Sequence, residues 1–264
     1  MTQNVPSMSA TGISVLIEDK CLLDNVSCTL PGHGITGLIG QNGSGKSTLM
    51  RVLARQLRPQ GGKVTFAGQD IVEYSDRSFA RDVAYLPQSA PVAPGMTVHE
   101  LVSLGRYPWH GALGRFGEED GRHVEEALVL TETTALSDRL VDSLSGGERQ
   151  RCWLAMLLAQ GARLLLLDEP TSALDLQHQH STLRLLRKVC QERGIAVIII
   201  IHDINLAASF CDHIVALKTG RLIDEGSPAE IMTPARLESI FDVRMLVTQH
   251  PQTGAPYCII DASA

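Results

Sequence analysis

The sequence predicts an α/β fold in which a parallel β-sheet core carries an N-terminal antiparallel β layer and is interrupted by an inserted α-helical lobe. Three observations carry that prediction. The runs Ile35-Thr-Gly-Leu-Ile39 and Ala196-Val-Ile-Ile-Ile-Ile201 are continuously apolar rather than alternating, as strands buried on both faces of a parallel sheet must be. Strand-like and helix-like segments alternate along most of the chain, the order expected of a parallel α/β sheet. The first apolar run leads into the Gly-rich string Gly40-Gln-Asn-Gly-Ser-Gly-Lys-Ser47 and then a helical pattern over 49–57, which is the strand, loop and helix order that a phosphate-binding turn requires.

The first 35 residues and the stretch 62–68 form short, partly exposed segments separated by turn residues, which predicts the antiparallel layer. Between residues 89 and 160 the pattern becomes helical, after the Pro-rich entry Gln88-Ser-Ala-Pro-Val-Ala-Pro94, and this predicts the inserted lobe. Leu164–Leu167 returns to the core as a strand. A helix over 176–192, a strand from Ile195, a helix from Ile204 and a strand over 214–217 follow. Beyond Arg221, Gly226-Ser-Pro228 opens a helical segment ending at Phe241, and the residues after Arg244 are less periodic.

At 264 residues and 44% hydrophobic content, the chain buries a sizeable core and is not disordered. Its net charge of −6 supplies no general basic surface, so nucleic acid is not expected as a partner. The six cysteines show no CxxC spacing and several lie in apolar runs, which reads as reduced, packed thiols in a cytosolic protein. Residues 1–12 lack the charged start and apolar stretch of a signal peptide, and the apolar run 195–201 is far short of the roughly 20 residues of a membrane-spanning helix. Work at a membrane is therefore expected from the cytosolic side, through a partner.

The phosphate chemistry can be read residue by residue. In 40–47 the glycines let backbone N–H groups turn inward on phosphates, Lys46 can reach the β- and γ-phosphates, and the Ser47 hydroxyl can bind Mg²⁺. The leucine strand ends in Asp168-Glu169-Pro170, which puts two carboxylates at the strand edge where ligands of open α/β sheets bind. Asp168 is placed to organise a Mg²⁺ shell through water, and Glu169 to accept a proton from, or polarise, an attacking water. His202 ends another apolar strand, next in sequence order after the Asp168 strand, from where its imidazole can reach a γ-phosphate. A histidine capping a buried strand is more often structural. A second Gly-rich turn, Leu144-Ser-Gly-Gly-Glu-Arg-Gln150, feeds a helix and is a second anion-binding design.

Gly40 to Thr48, Gln88, Leu144 to Gln150, Asp168-Glu169, Ser172-Ala-Leu-Asp175 and His202 occur in the order found in the ATP-binding subunits of ABC transporters, which the chain resembles from about residue 13 to residue 232. The resemblance implies a P-loop NTPase (RecA-like) core and a single cassette over 1–264, with 1–88 and 161–264 as the core with its β layer and 89–160 as the helical lobe. It implies ATP and Mg²⁺ as cofactors. Gly40, Asn42, Gly43, Ser44, Gly45, Lys46, Ser47 and Thr48 would hold the phosphates, and Ser47, Gln88 and Asp168 the metal. Glu169, His202, Gln88 and Lys46 would be catalytic, with Gln88 also sensing the membrane partner. Ser145, Gly146 and Gly147 would contact the γ-phosphate of ATP held by a second copy. Independently of the family, a Gly-Gly turn so far beyond the P-loop is hard to place on the same nucleotide; two copies arranged head to tail resolve this, with ATP between them and Asp175 near the joint.

The lobe is where a permease would dock. Its string from Leu104-Gly-Arg-Tyr107 through Trp109 to Phe116 resembles that of importers for iron–siderophore complexes, cobalamin and haem, and most of all the ferric hydroxamate (ferrichrome-type) import ATPases of Gram-negative bacteria; Tyr85-Leu-Pro-Gln88 and Met96-Thr-Val-His-Glu-Leu101 add to the match. Tyr107 and Trp109 read either as core fillers or as contacts. A free cassette with no spanning segment implies a separate permease, a periplasmic binding protein and a place on the cytoplasmic face of the inner membrane. Many family members stack an aromatic residue on adenine near the first strand; here the stretch is Val15-Leu-Ile-Glu-Asp-Lys20, so aliphatic packing near Leu16 or Ile17 is expected instead.

The main rival is a non-transport ABC ATPase, although neither a second cassette nor a long coiled coil is present. A GTPase would need an Asn-Lys-x-Asp motif, which is absent, and a pure binding module would be expected to lose Glu169. His178-Gln-His180 looks like a metal pair, but residues two apart on a helix point about 200° from each other, so a solvated face is expected. Glu118-Glu-Asp120 and Glu125-Glu126 read as exposed lobe charges.

Overall fold

In the computed structural model the described residues are 6–261 apart from 90, 92, 112–113 and 173. The start of the segment read for a signal peptide (1–5), two residues of the Pro-rich entry, two of the Leu104 to Phe116 string and the alanine of Ser172-Ala-Leu-Asp175 lie outside them.

An antiparallel pair opens the chain, β1 (Met8–Ile17) and β2 (Lys20–Leu30), both with largely alternating burial. β3 (Gly34–Ile39) enters the core, and α1 (Lys46–Leu53) follows the Gly-rich turn. β4 (Gly61–Phe66) returns beside β1 and the two-residue β5 (Gln69–Asp70) ends that sheet, in the order β2-β1-β4-β5. α2 (Asp76–Asp82) then leads to β6 (Val83–Leu86). Four helices fill the next stretch: α3 (Val98–Leu104), α4 (Tyr107–His110), α5 (Glu118–Leu130) and α6 (Gly146–Gln160). Capping boxes start α3 at Thr97 with Glu100 and α6 at Ser145 with Glu148.

The chain re-enters the core as β7 (Leu164–Leu167), α7 (Leu176–Arg193), β8 (Ala196–Ile200), α8 (Ile204–Phe210), β9 (His213–Lys218) and β10 (Arg221–Gly226). It finishes with α9 (Pro228–Ile231), α10 (Pro234–Phe241) and a hairpin of β11 (Met245–Gln249) and β12 (Pro256–Ile260).

The central sheet runs β10-β9-β3-β8-β7-β6, parallel except for β10. Alternate residues of its strands enter two different cores. Leu165, Leu167, Val197 and Ile199 pack with Leu101 of α3, Val124 of α5, Trp153 of α6 and Leu186 of α7. Leu164, Leu166, Ile198 and Ile200 pack with Leu49 of α1 and with Ile13 and Leu23 of the antiparallel sheet. Each such side chain, taken fully out of water, contributes on the order of 1.5–3 kcal/mol, which is why these strands carry no alternation. Register aligns Leu86 with Leu167, Leu167 with Ile199, and Ile200 with Leu38. The residues that follow β3, β8, β7 and β6 therefore emerge side by side at one edge.

The structure departs from the sequence reading in several places. α1 starts at Lys46 rather than Leu49, because Lys46 and Ser47 form its first turn directly after Gly45. β10 and the β11–β12 hairpin supply order where little periodicity was seen. Asp120 is not a solvated charge: it pairs at 2.8 Å with Arg106, which is only 3% exposed and needs a counter-charge. Trp109 and Tyr107 are not core fillers. Trp109 has the guanidinium groups of Arg81 and Arg106 at 4.8 and 5.0 Å from its ring centre, and Tyr107 is half exposed. Cys21 is exposed, while the other five thiols are buried.

Candidate active site

The Gly-rich turn is shaped by its neighbours. Gly40 has φ 138°, and a Cβ there would lie 2.0 Å from the Leu217 carbonyl oxygen at the end of β9, so no other residue fits. Gly43, at φ 77°, faces open space on its Cβ side. Lys46 is buried and folded back along the loop, donating to the carbonyls of Gly40 and Gln41 at 2.9 Å each. Burial pulls the Lys46 ammonium below its usual pKa, and the nearby Glu169 and Asp168 carboxylates act in the opposite direction.

Three further strand ends meet this turn. From β7, Asp168 accepts a hydrogen bond from the Ser47 hydroxyl at 3.0 Å. Burial raises the Asp168 carboxyl above its usual range, while the Ser47 bond pulls the other way. Glu169 takes φ 51°, a left-handed conformation that turns its side chain away from the strand course. One oxygen of Glu169 accepts the Gln88 amide N–H at 2.8 Å, and the other lies 2.7 Å from Nε2 of His202. Gln88 follows β6 and His202 follows β8. The expected residues Lys46, Ser47, Gln88, Asp168, Glu169 and His202 are thus brought together by strand order and register.

These groups fit the cofactors that the motifs imply. Ser47 and Asp168 are hard oxygen donors, already adjacent and partly desolvated, as a Mg²⁺ site requires. The Ser44 hydroxyl is buried without a hydrogen-bond partner among the described residues, which an acceptor-rich phosphate would satisfy. A cleft of about 180 Å³ runs along 42–48 and Glu169. Its remaining wall is Lys20, the last residue of the stretch 15–20, and Leu22, both of β2. No motif marks them, since they reach the cleft only because the antiparallel sheet stacks on the parallel one. Leu16 and Ile17 stand half exposed at the end of β1.

The second Gly-rich turn is built differently. Ser145 caps α6, and its hydroxyl and N–H donate to Glu148 at 2.7 and 2.9 Å. Ser145 and Gly146 are exposed. A Cβ on Gly147 would lie 2.8 Å from the His178 ring, which is itself held by Asp175 at 2.8 Å. Asp175 caps α7 by accepting the His178 backbone N–H, and those two bonds hold its carboxyl below the usual range. Among the described residues, no hydrogen bond joins 144–150 to 40–48. The His178 ring stands beside Gly147, and His180 is not on a fully solvated face, since it is half-buried with its ring edge-on against Phe210; no cluster of three or more metal-ligating side chains occurs among the described residues.

Known proteins resemble this chain over most of its length. The family described as ABC transporter matches residues 23–172. The iron(3+)-hydroxamate import ATP-binding protein of Bacillus subtilis is 41% identical over 96% of this chain and 94% of its own length. The hemin import ATP-binding protein of Gloeobacter violaceus is also 41% identical, over 97% and 95%. Among solved structures, a metal-chelate type ABC transporter in an inward-facing conformation superposes with a TM-score of 0.84 at 26% identity, over 97% of this chain and 98% of that one. A dimeric ATP-binding cassette in a post-hydrolysis state with ADP and Pi gives 0.73 at 27% identity, over 84% and 98%.

Proposed function

Since the chain belongs to the ABC transporter family and is an ATPase coupled to transport, we propose that two copies of it clasp ATP between them and drive import of an iron(III)–siderophore complex, of the hydroxamate class, through a separate membrane permease. The observation that carries the catalytic part is the row Gln88, Glu169 and His202 beside the Ser47–Asp168 pair. Glu169 is the group that polarises the attacking water or accepts its proton. His202 holds one oxygen of that carboxylate and reaches the γ-phosphate, and Gln88 holds the other. A Mg²⁺ ion held by Ser47, Gln88 and Asp168 would supply charge neutralisation on the β- and γ-phosphates. Lys46 leaves the loop carbonyls for those same oxygens. Adenine packs on aliphatic side chains, with Leu22 the one that lines the cleft.

The head-to-tail dimer is supported by the exposed second turn, whose donors have only local partners. Ser145, Gly146 and Gly147 of one copy then face the γ-phosphate on its partner, with Asp175 at the joint. Glu169→Gln, incubated with ATP and Mg²⁺, is expected to elute as a dimer in size-exclusion chromatography; a monomer would remove the main support for this arrangement.

The helical region 89–160, as a lobe inserted between core segments 1–88 and 161–264, offers Leu104, Tyr107 and Phe116 as exposed side chains for a permease. No helix among the described residues is long and apolar enough to cross a membrane, which agrees with a peripheral subunit on the cytoplasmic face, served by a periplasmic binding protein that selects the cargo. The hydroxamate assignment rests on the relative and on the 104–116 string; the equally similar hemin relative makes haem the second reading. Growth of a deletion strain on ferrichrome-type hydroxamates, on haem, or under cobalamin dependence separates them. Normal growth on every hydroxamate would remove the favoured cargo.

A further inference from the structure

Gln41, the second residue of the phosphate-binding turn, is bonded at both its ends. Its backbone carbonyl accepts from the Lys46 ammonium at 2.9 Å and from the Ser44 N–H at 3.2 Å. Its side-chain amide donates to the Phe241 carbonyl at 2.6 Å and to Asp242 Oδ2 at 3.1 Å, at the far end of α10. Asp242 is itself fixed. Its other oxygen accepts from Lys218 Nζ at 2.6 Å, and Lys218 also donates to the Ser239 carbonyl at 2.7 Å. The Lys218 ammonium and the Gln41 amide hold the Asp242 carboxyl below its usual range, so it is charged at neutral pH. Asp242 sits at φ 58°, the left-handed cap that ends α10.

We propose that Gln41 and Asp242 are a positioning pair for nucleotide binding, through which the C-terminal helix α10 holds the first turn of the phosphate loop in its binding shape. The proposal rests on the reading of 40–48 as the nucleotide site. When the Lys46 ammonium turns to a phosphate it leaves the Gly40 and Gln41 carbonyls, and the first turn of the loop loses two of the bonds that shape it. What remains on that side is the Ser44 N–H on the Gln41 carbonyl, within the loop, and the Gln41 side chain, its one tether to another element. The other side is held separately, by the Gly220 N–H on the Ser44 carbonyl at 3.0 Å. Glu169, His202 and Gln88 hang from β7, β8 and β6 and are not bonded to this tether. Loosening it therefore weakens nucleotide affinity and leaves the turnover step in place.

The test uses the full chain and ATP with Mg²⁺, reading KM and kcat from phosphate release and the Kd of a fluorescent ADP analogue, alongside thermal melting without nucleotide. Gln41→Ala removes both bonds. It is expected to raise KM and Kd about three- to ten-fold, the equivalent of one net hydrogen bond of ordinary strength, with kcat within about two-fold. Asp242→Gly, which tolerates the left-handed backbone, shifts both constants in the same direction by less. Asp242→Asn keeps an acceptor and the cap and stays near the parent value. The double variant Gln41→Ala/Asp242→Gly is no worse than Gln41→Ala alone. An unchanged KM, an equal fall in kcat, or additive effects in the double variant would overturn the proposal, and so would a loss of melting temperature without a shift in KM, which would assign the tether to packing. Failure of the parent chain to bind the ADP analogue would instead defeat the nucleotide-site reading, and the proposal with it.

Discussion

At the edge where β3, β8, β7 and β6 end, four strands deliver side chains that bond to one another: Ser47 to Asp168, Gln88 to Glu169, and Glu169 to His202. At the start of α6 the same chemistry of N–H groups and hydroxyls is present, but Ser145 and Gly146 are exposed, the Ser145 hydroxyl and N–H bond only to Glu148, and the His178 ring, held by Asp175, stands beside Gly147. The first region closes on itself within one chain. The second is exposed, and its capping bonds stay within the turn. On the proposed reading, the difference teaches that burial and cross-strand bonding mark the half that performs chemistry, whereas a capped, exposed turn marks the half that must be brought to a ligand held elsewhere.

The strongest way to break that contrast is at Glu169. Glu169→Gln is expected to lower kcat about 10³-fold, within the range for loss of a general base, while the Kd of the fluorescent ADP analogue stays within about two-fold. A residual rate near the parent value would show that the carboxylate is not the group acting on water. Gly147→Ala comes next. Its Cβ would push against the His178 ring at 2.8 Å, displacing the turn, and turnover is expected to fall about 10²-fold, as misplacement by about 1 Å can cause. In the Glu169→Gln background the same change should abolish the ATP-dependent dimer peak without altering monomer affinity. A change in monomer affinity would mean that both turns serve the same nucleotide, and the contrast would collapse.

His202→Ala sharpens the comparison from the other side. It removes one of the two partners of Glu169, and kcat is expected to fall roughly 10- to 10²-fold, the lower end of acid–base effects; Gln88→Ala, which removes the other, should cost less because Gln88 is neutral and exposed. The smallest effect tests rigidity. Cys152 lies in α6 behind the second turn, and burial pushes its thiol up to about 11, with Cys28, Cys190 and Cys211 pushed up to about 12. The native chain should show one fast thiol toward a neutral aromatic disulfide, the exposed Cys21, and the remainder only after unfolding. Fast labelling of Cys152 would show that the second turn is not preformed.

Much of this was legible in residue order. Leu164–Leu167 running into Asp168-Glu169, and 195–201 running into His202, announce buried strands with polar tips, because nothing but a two-sided core tolerates such runs. The bonds between the tips were not legible. The Gln88–Glu169 contact depends on β6 and β7 being neighbours in a register that pairs Leu86 with Leu167, and nothing local encodes that. α1 begins earlier than its apolar pattern because Lys46 and Ser47 have loop chemistry, yet they open the helix where Gly45 packs between Leu22–Leu23 of β2 and Gly220, which follows β9. β10 was missed because an edge strand with exposed Arg221 and turn-like Asp224 and Gly226 carries little apolar signal. The role of His178 at Gly147 was hidden because it joins two segments through a ring contact, not a spacing.

β8 lies between β3 and β7, hydrogen-bonded on both sides, and Ala196–Ile200 is at most 1% exposed. Amides so enclosed exchange with solvent deuterium only when the whole fold opens. Uptake along 197–200 is therefore a clock for global unfolding, and a ligand that binds only the folded chain slows that clock by the factor 1 + L/Kd, where L is the free ligand concentration. His202 sits just past the last tick of it, at the point where the slowest-opening segment of the molecule meets solvent.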